Sequence, residues 1–479
     1  MRHVSGLAMG LLLAACTVGP NYERPPAPTP AKFKELDGWK PAAPSVAASD
    51  EEWWAIYQDP VLDDLEKQID VSNQTLKASE AAYREATELV AEAGAQAYPT
   101  AAVAATAQRS ASPGVGGRGG GGQQVVQNQF TLGPSVSWAP DIWGRIRRTV
   151  ESSAASAQAS AADLAAARLL AQATLATDYL ELRVSDENRT VLENSVAAFQ
   201  KTYDITKNQY AAGVAAQTDV ITAQTELQNT QAQLINVGVQ RAVLEHAIAV
   251  LVGKPPAEVT IAPAKFGRAI PVVPAGLPSA LLERRPDVAA AERTMQSANA
   301  QIGVAQAAYY PDFTLSASAS FSSTMLQNLL SLSNATWAIA AGANETVFDA
   351  GLRSAQVAAA RATYDEDVAN YRQTVLTAFQ QVEDDLATLR ILEQQADVQN
   401  AALQSARLAV TLTLNQYQAG TVAYTNVVVA QTTALNDELT VLIILQNRLV
   451  ASVALVQSLG GGWDSSKLPS MDTVSNPHS

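Results

Sequence analysis

Gln209-Tyr210-Ala211-Ala212-Gly213 is followed by Asp219-Val220 and Gln224-Thr225, and the pattern returns as Gln416-Tyr417-Gln418-Ala419-Gly420, Asn426-Val427 and Gln431-Thr432. Every pair is separated by 207 residues, and the same offset maps Gly144 onto Gly351, Arg183 onto Arg390 and Gly253 onto Gly460. One unit is written twice, in a register that holds over more than a hundred residues. Upstream, Tyr98-Pro99 matches Tyr310-Pro311 at an offset of 212, so a five-residue length difference falls where loops vary. Between the copies stand Pro255, Pro256, Pro263, Pro271, Pro274 and Pro278, a density that helices do not run through. These marks give a first repeat at 50–253, a proline-rich linker at 254–280, a second repeat at 281–460 and a tail at 461–479.

Proline is absent from Asp141 through Lys254, and Thr149 to Asn208 reads as about sixty helix-compatible residues. At about 1.5 Å per residue such a helix runs roughly 90 Å, and a return from Ala215 to Val252 covers about 57 Å beside it. Gly213 supplies the left-handed geometry that ends a helix, and Gly420 does the same in a second hairpin from about Gly351 to Leu459. Nine alanines in the fourteen residues from Ala154 let helices approach closely, which predicts packed antiparallel coiled coils.

Shorter segments alternate with period two. Phe313, Leu315, Ala317, Ala319 and Phe321 face one way while Thr314, Ser316, Ser318 and Ser320 face the other. Phe130, Leu132, Pro134, Val136 and Trp138 form a second such run, Ala101 to Ala107 a third and Trp337 to Ala343 a fourth. Strands of about nine to eleven residues cross a bilayer when tilted, although a soluble sheet shows the same alternation.

The start of the chain bears on that choice. Arg2 and His3, an apolar run from Val4 to Leu13 and small residues before Cys16 have the grammar of a secretory signal, too short to span a membrane. Leu13-Ala14-Ala15-Cys16 resembles the bacterial lipobox, in which the cysteine is acylated and becomes the first mature residue. Residues 1–15 then form the lipoprotein signal peptide. Residues 16–49, rich in proline, read as an extended tether. Thr17 stands where an Asp usually retains such lipoproteins in the inner membrane, which leaves export to the outer membrane open.

Composition narrows the field further. A net charge of −14 argues against nucleic acid as a partner. His3, His246, His478 and Cys16 are the only imidazoles and thiol, so no ordinary zinc site can be assembled. Gly114-Val115-Gly116-Gly117-Arg118-Gly119 matches a dinucleotide fingerprint, yet it joins two alternating segments with no helix after it and reads as an outer loop. Glu383-Asp384-Asp385 reads as a solvated helix face, and no nucleophile and base stand together, so neither a catalytic residue nor a cofactor is expected.

Four strands in two separated hairpins cannot close a transmembrane barrel, because an open edge in lipid leaves unpaired backbone groups at several kcal/mol each. Neighbouring copies must supply the rest. Two copies give eight strands around a filled interior; three give twelve around a water-wide lumen, the better reading.

The lipobox followed by Val18-Gly19-Pro20-Asn21-Tyr22, the Tyr-Pro marks, Asp141-Ile142-Trp143-Gly144-Arg145, Phe348-Asp349-Ala350-Gly351 and the paired Gln-Tyr-x-x-Gly turns resemble the outer membrane factor family, above all its NodT-like efflux lipoproteins. The resemblance implies a mainly α homotrimeric channel-tunnel: four strands per chain in a shared twelve-stranded barrel, and long antiparallel helices forming a periplasmic α-barrel with a closed tip. It implies docking to a periplasmic adaptor and an inner membrane transporter of the resistance-nodulation-division type, with adaptor contact at the Gly213 and Gly420 turns. It also implies a lipid on Cys16, residence in the outer membrane and passive conduction of exported solutes.

The family's gate lies just after the helical turns. Asp219 and Tyr417 match a bonded pair in that gate, whereas its arginine is Val422 here. Constricting aspartates of the family fall on Asn426 and Val429, so closure is expected to rest on packing and dewetting rather than a carboxylate ring. Asp219 as a mere helix cap is the competing reading. Two other functions stay open: the outer membrane channel of a type I protein secretion system, and a coiled-coil lipoprotein bridging envelope layers without a pore.

Overall fold

A computed structural model describes residues 17–36, 52–113, 124–265, 270–271, 273 and 283–475. Cys16 and the glycine-rich 114–119 segment lie outside them. In chain order come α1 (Pro60–Ser72), α2 (Gln74–Ala95), β1 (Thr100–Pro113), β2 (Gln124–Trp138), α3 (Arg145–Ala211) and α4 (Gln217–Leu251). The second repeat contributes α5 (Pro286–Ala307), β3 (Asp312–Ser323), β4 (Ala335–Asn344), α6 (Leu352–Gln418) and α7 (Tyr424–Ser458), and a short α8 (Met471–Ser475) closes the described chain. Helices α3 and α6 are each 67 residues long, about 100 Å, and α4 and α7 are each 35.

The strands form one sheet in the order β1-β2-β3-β4, antiparallel throughout. This corrects the expectation of two separated hairpins, since β2 pairs with β3 through Leu132 opposite Phe321, Val136 opposite Ala317 and Trp138 opposite Leu315. Register explains the pairing. Ala101 faces Val136, Ala105 faces Leu132 and Ala317 faces Ile339, so the apolar side of every strand falls on a single face of the sheet. Thr131, Ser135, Ser137, Ser316, Ser318 and Ser320 lie on the other face. Among the described residues the sheet remains open, with β1 and β4 as free edges.

The helices follow the same lateral order. Helix α3 packs against α2 and α4 on one side and α5 and α7 on the other, and α6 packs against α5 and α7. The chain is thus a wall with matching edges in both layers: β1, α2 and α4 at one side, β4 and α6 at the other. Exposed large apolar side chains concentrate on the outermost helices, with Ile235, Val239 and Val243 on α4 and Val398, Leu408 and Leu412 on α6. Both α4 and α7 are apolar enough to cross a membrane, but each is one arm of a hairpin with a long helix.

A matching joint closes each repeat on itself. Asn73 Nδ2 donates to Leu251 O at 2.7 Å, and Arg285 donates to Ser458 O at 3.1 Å, so each return helix has its last carbonyls satisfied from the start of its repeat. Beside them, a Cβ on Gly253 would sit 2.1 Å from Ser72 O, and one on Gly460 2.1 Å from Arg284 O. The start of the linker is held by charge. Asp186 accepts from Arg183 at 3.2 Å and Arg241 at 2.7 Å, while Arg183 donates to Ala262 O at 2.8 Å and Glu245 accepts the Ile261 N–H at 2.6 Å.

The proline-rich start, expected to be a tether, lies strapped to the wall over residues 17–36. Its backbone forms neither α-helix nor strand and takes a single 3-10 turn at Lys34–Leu36, but its side chains and carbonyls find partners. Phe33 is buried against Phe379, and the amides of Lys34 and Glu35 donate to Glu383 at 2.6 and 2.9 Å. Glu383 therefore anchors the strap and does not belong to a solvated acidic face.

Candidate pore wall and gate

The sheet's apolar face is bounded by chemistry. Along β2 it runs from Phe130 to Trp138, about 27 Å at ~3.4 Å per residue and roughly 21 Å of membrane depth at a 40° tilt. Past Phe130 the same face carries Arg109 opposite Asn128, which ends the band. At the other boundary Trp143 stacks on Tyr310 with centroids 4.8 Å apart and donates from Nε1 to Pro311 O at 2.8 Å. Aromatic side chains with a polar tip suit that interfacial level.

Strand passes to helix at this level through two capped turns. Asp141 accepts the amides of Ile146 and Arg147, both at 3.0 Å, and Asp349 accepts those of Gly351 at 2.9 Å and Arg353 at 3.2 Å. Hydrogen bonds from Arg353 hold the Asp349 carboxyl below the usual carboxylate range. The strap begins here as well. The Val18 amide donates to Trp143 O at 3.1 Å, and buried Arg148 donates to Val18 O and Gly19 O, each at 3.2 Å, and to Asn21 Oδ1 at 2.9 Å. Gly19, with φ of 103°, lies so close to Gly303 that a Cβ would approach its Cα to 2.4 Å.

The two helical turns lie together at the far end. Gly213 and Gly420 have φ of 73° and 74°, and their amides donate to Tyr210 O and Tyr417 O, both at 2.9 Å. A Cβ at either position would meet nothing within 4 Å, so backbone conformation alone demands glycine. Tyr417 and Tyr424 pack with centroids 5.5 Å apart over buried Val427 and Ala223, and Val422 joins this cluster.

The expected Asp219–Tyr417 hydrogen bond is not made. The Tyr417 hydroxyl donates to Gln209 Oε1 on α3, and Asp219, in the first turn of α4, accepts the Ala216 amide at 3.3 Å. That capping bond uses one oxygen of the carboxylate. Asp219 still acts at a distance: burial first, then its charge, pushes the Tyr417 hydroxyl up from its ordinary pKa. A second neutral bond joins the same elements, from Gln431 Nε2 to Thr202 Oγ1 at 3.2 Å. Asn426, the repeat counterpart of Asp219, and Val429 both lie exposed, free of the tyrosine cluster. In the sequence Gln209 and Gln431 stand out only as marks of the repeat and not as gate residues, and Thr202 not at all; the duplication of Gln209 as Gln416 is the one usable signal.

A wall with one apolar and one polar sheet face, open edges and a 100 Å helical extension defines a pore-forming subunit of the outer membrane. The outer membrane efflux protein family model matches residues 65–254 and 277–461, which follow the two repeats, and the chain belongs to that family. The toluene efflux pump outer membrane protein TtgC of Pseudomonas putida is 28% identical over 94% of both chains. The nodulation protein T of Rhizobium leguminosarum is 29% identical, over 98% of this chain and 95% of its own. Among solved structures the outer-membrane channel OprN superposes with a TM-score of 0.85 at 28% identity, covering 94% of this chain and all of that one. The protein is an outer membrane channel of efflux systems.

Proposed function

We propose that three copies close edge to edge into a passive conduit, receiving solutes from an inner membrane transporter of the resistance-nodulation-division type through a periplasmic adaptor. The observation that carries this reading is the shared lateral order of the two layers. Closing β4 and α6 of one copy onto β1 and α4 of the next pairs the free backbone edges and covers the exposed apolar helices in one movement. Three copies bring twelve strands and a lumen lined by the serine- and threonine-rich face. The Gly213 and Gly420 turns form the adaptor-facing tip, and no catalysis on the solute is required.

Cys16 carries the lipid in this reading. Thr17, the first described residue, lies against Gly144 at the level where the strands leave the membrane, which supports a lipid attached at this end of the strap. At the tip, the gate is held by neutral hydrogen bonds and aromatic packing: Tyr417 to Gln209, Gln431 to Thr202, and the Tyr417–Tyr424 contact. Such a lock is insensitive to salt screening. Planar bilayer recording tests the conduit directly: Tyr417→Phe combined with Gln209→Ala should raise open probability at both 0.1 M and 1 M KCl. A silent bilayer in both variant and wild type would refute it.

A further inference from the structure

We infer that Asp367 and the hydroxyls around it form a cation station in the upper tunnel, suited to protonated amines. The inference rests on the tunnel reading above and names a substrate chemistry for it. A cavity of about 400 Å³ is lined by Leu89 of α2, Ser152 and Ser156 of α3, Ser297 and Gln301 of α5, and Asp367 of α6. Four neighbouring helices of a wall meet around one cavity only where the wall curves about it. The cavity therefore lies on the concave side.

The strap fixes which side that is. Glu292, Asn299 and Gly303 of α5 hold the strap, through Arg24, the Pro20 carbonyl and Gly19 respectively. Thr294 and Gln301, which line the cavity, each follow a strap-holding residue by two positions, about 200° around a helix. The cavity and strap occupy opposite faces of α5. A strap running down from a lipid-bearing residue occupies the outside of the tube, so the cavity opens to the lumen, in line with the polar sheet face above.

Its chemistry is one-sided. Ser152 and Ser297 hydroxyls lie 2.8 Å apart, Ser156 and Ser297 2.9 Å, and Gln301 Nε2 donates to Ser152 at 2.8 Å. Half-buried Asp367 has no ion-pair partner among the described residues; burial and neighbouring Glu366 are the influences on it. A carboxylate beside hydroxyl oxygens offers acceptors to an ammonium group, which brings three donors and the missing charge.

Single-channel recording in the Tyr417→Phe, Gln209→Ala background tests this, with spermidine added from the extracellular side as probe. Removing one carboxylate from a partly screened site should weaken spermidine block about tenfold in Asp367→Asn and lower the preference for potassium over chloride. Asp367→Glu should restore both. Asp367→Cys should lose current to a cationic methanethiosulfonate, whereas the parent, whose only cysteine is Cys16, should not. Unchanged block and ion preference in Asp367→Asn, or an inert Asp367→Cys in a conducting channel, would overturn the station. A background that conducts nothing at all would overturn the tunnel reading instead.

Discussion

Glycines of the repeat are equivalent in sequence but not in mechanism. Gly213 and Gly420 need only the left-handed backbone, so Gly213→Ala should cost on the order of 1 kcal/mol and leave assembly intact. Gly253 and Gly460 face carbonyl oxygens with no room for a methyl group, so Gly253→Ala should abolish most folded protein in a detergent-extraction assay. Glu66 could not be read from sequence, because a lone glutamate on an amphipathic helix looks solvated. It is fully buried, neither carboxylate oxygen has a hydrogen-bond partner among the described residues, and burial with Asp70 and Asp63 nearby pushes it up to about 9. The folded state therefore holds a proton that the unfolded chain releases near pH 4.5. Stability from this group is full below that pH and declines as pH rises toward 9. Glu66→Gln should melt like the parent at pH 4 and above it at pH 8 by circular dichroism; a lower melting point at pH 8 would contradict the assignment.

At the scale of elements, the hairpins and strands were legible because their periodicities run long: 67 residues without proline, and alternation over nine. Joining of the two strand pairs was not, since β2 and β3 are separated by 173 residues and nothing local reports their pairing. The strap was misread for a related reason. Proline content keeps it out of α-helix and strand, whereas its docking depends on Arg148, Asn299 and Glu383 far along the chain. Arg148→Ala removes three bonds to the strap and leaves its carbonyls facing a gap, so proteolysis between residues 17 and 36 should accelerate while the core stays protected. At the gate, the resemblance pairs Tyr417 with Asp219, whereas the Tyr417 hydroxyl bonds Gln209 and Asp219 caps Ala216, a choice of side-chain partner that spacing along the chain does not report. Asn426→Asp adds a charge on an exposed position at the tip and should increase divalent-cation block of single-channel current. Unchanged block would place the constriction away from residue 426.

The whole molecule is an incomplete object. One copy buries a continuous helical core yet exposes two sheet edges, an apolar sheet face and apolar stripes on α4 and α6, surfaces that water does not tolerate together. Lipid covers the sheet face, and only further copies can satisfy the edges. Because the two edges differ, the contact is head-to-tail and must close as a ring, and the strand count sets the lumen. Native mass spectrometry of the protein released from detergent micelles measures that stoichiometry without assuming a register. Three mature chains per particle is the predicted result; a particle of one or two chains, carrying the same fold, would contradict the account.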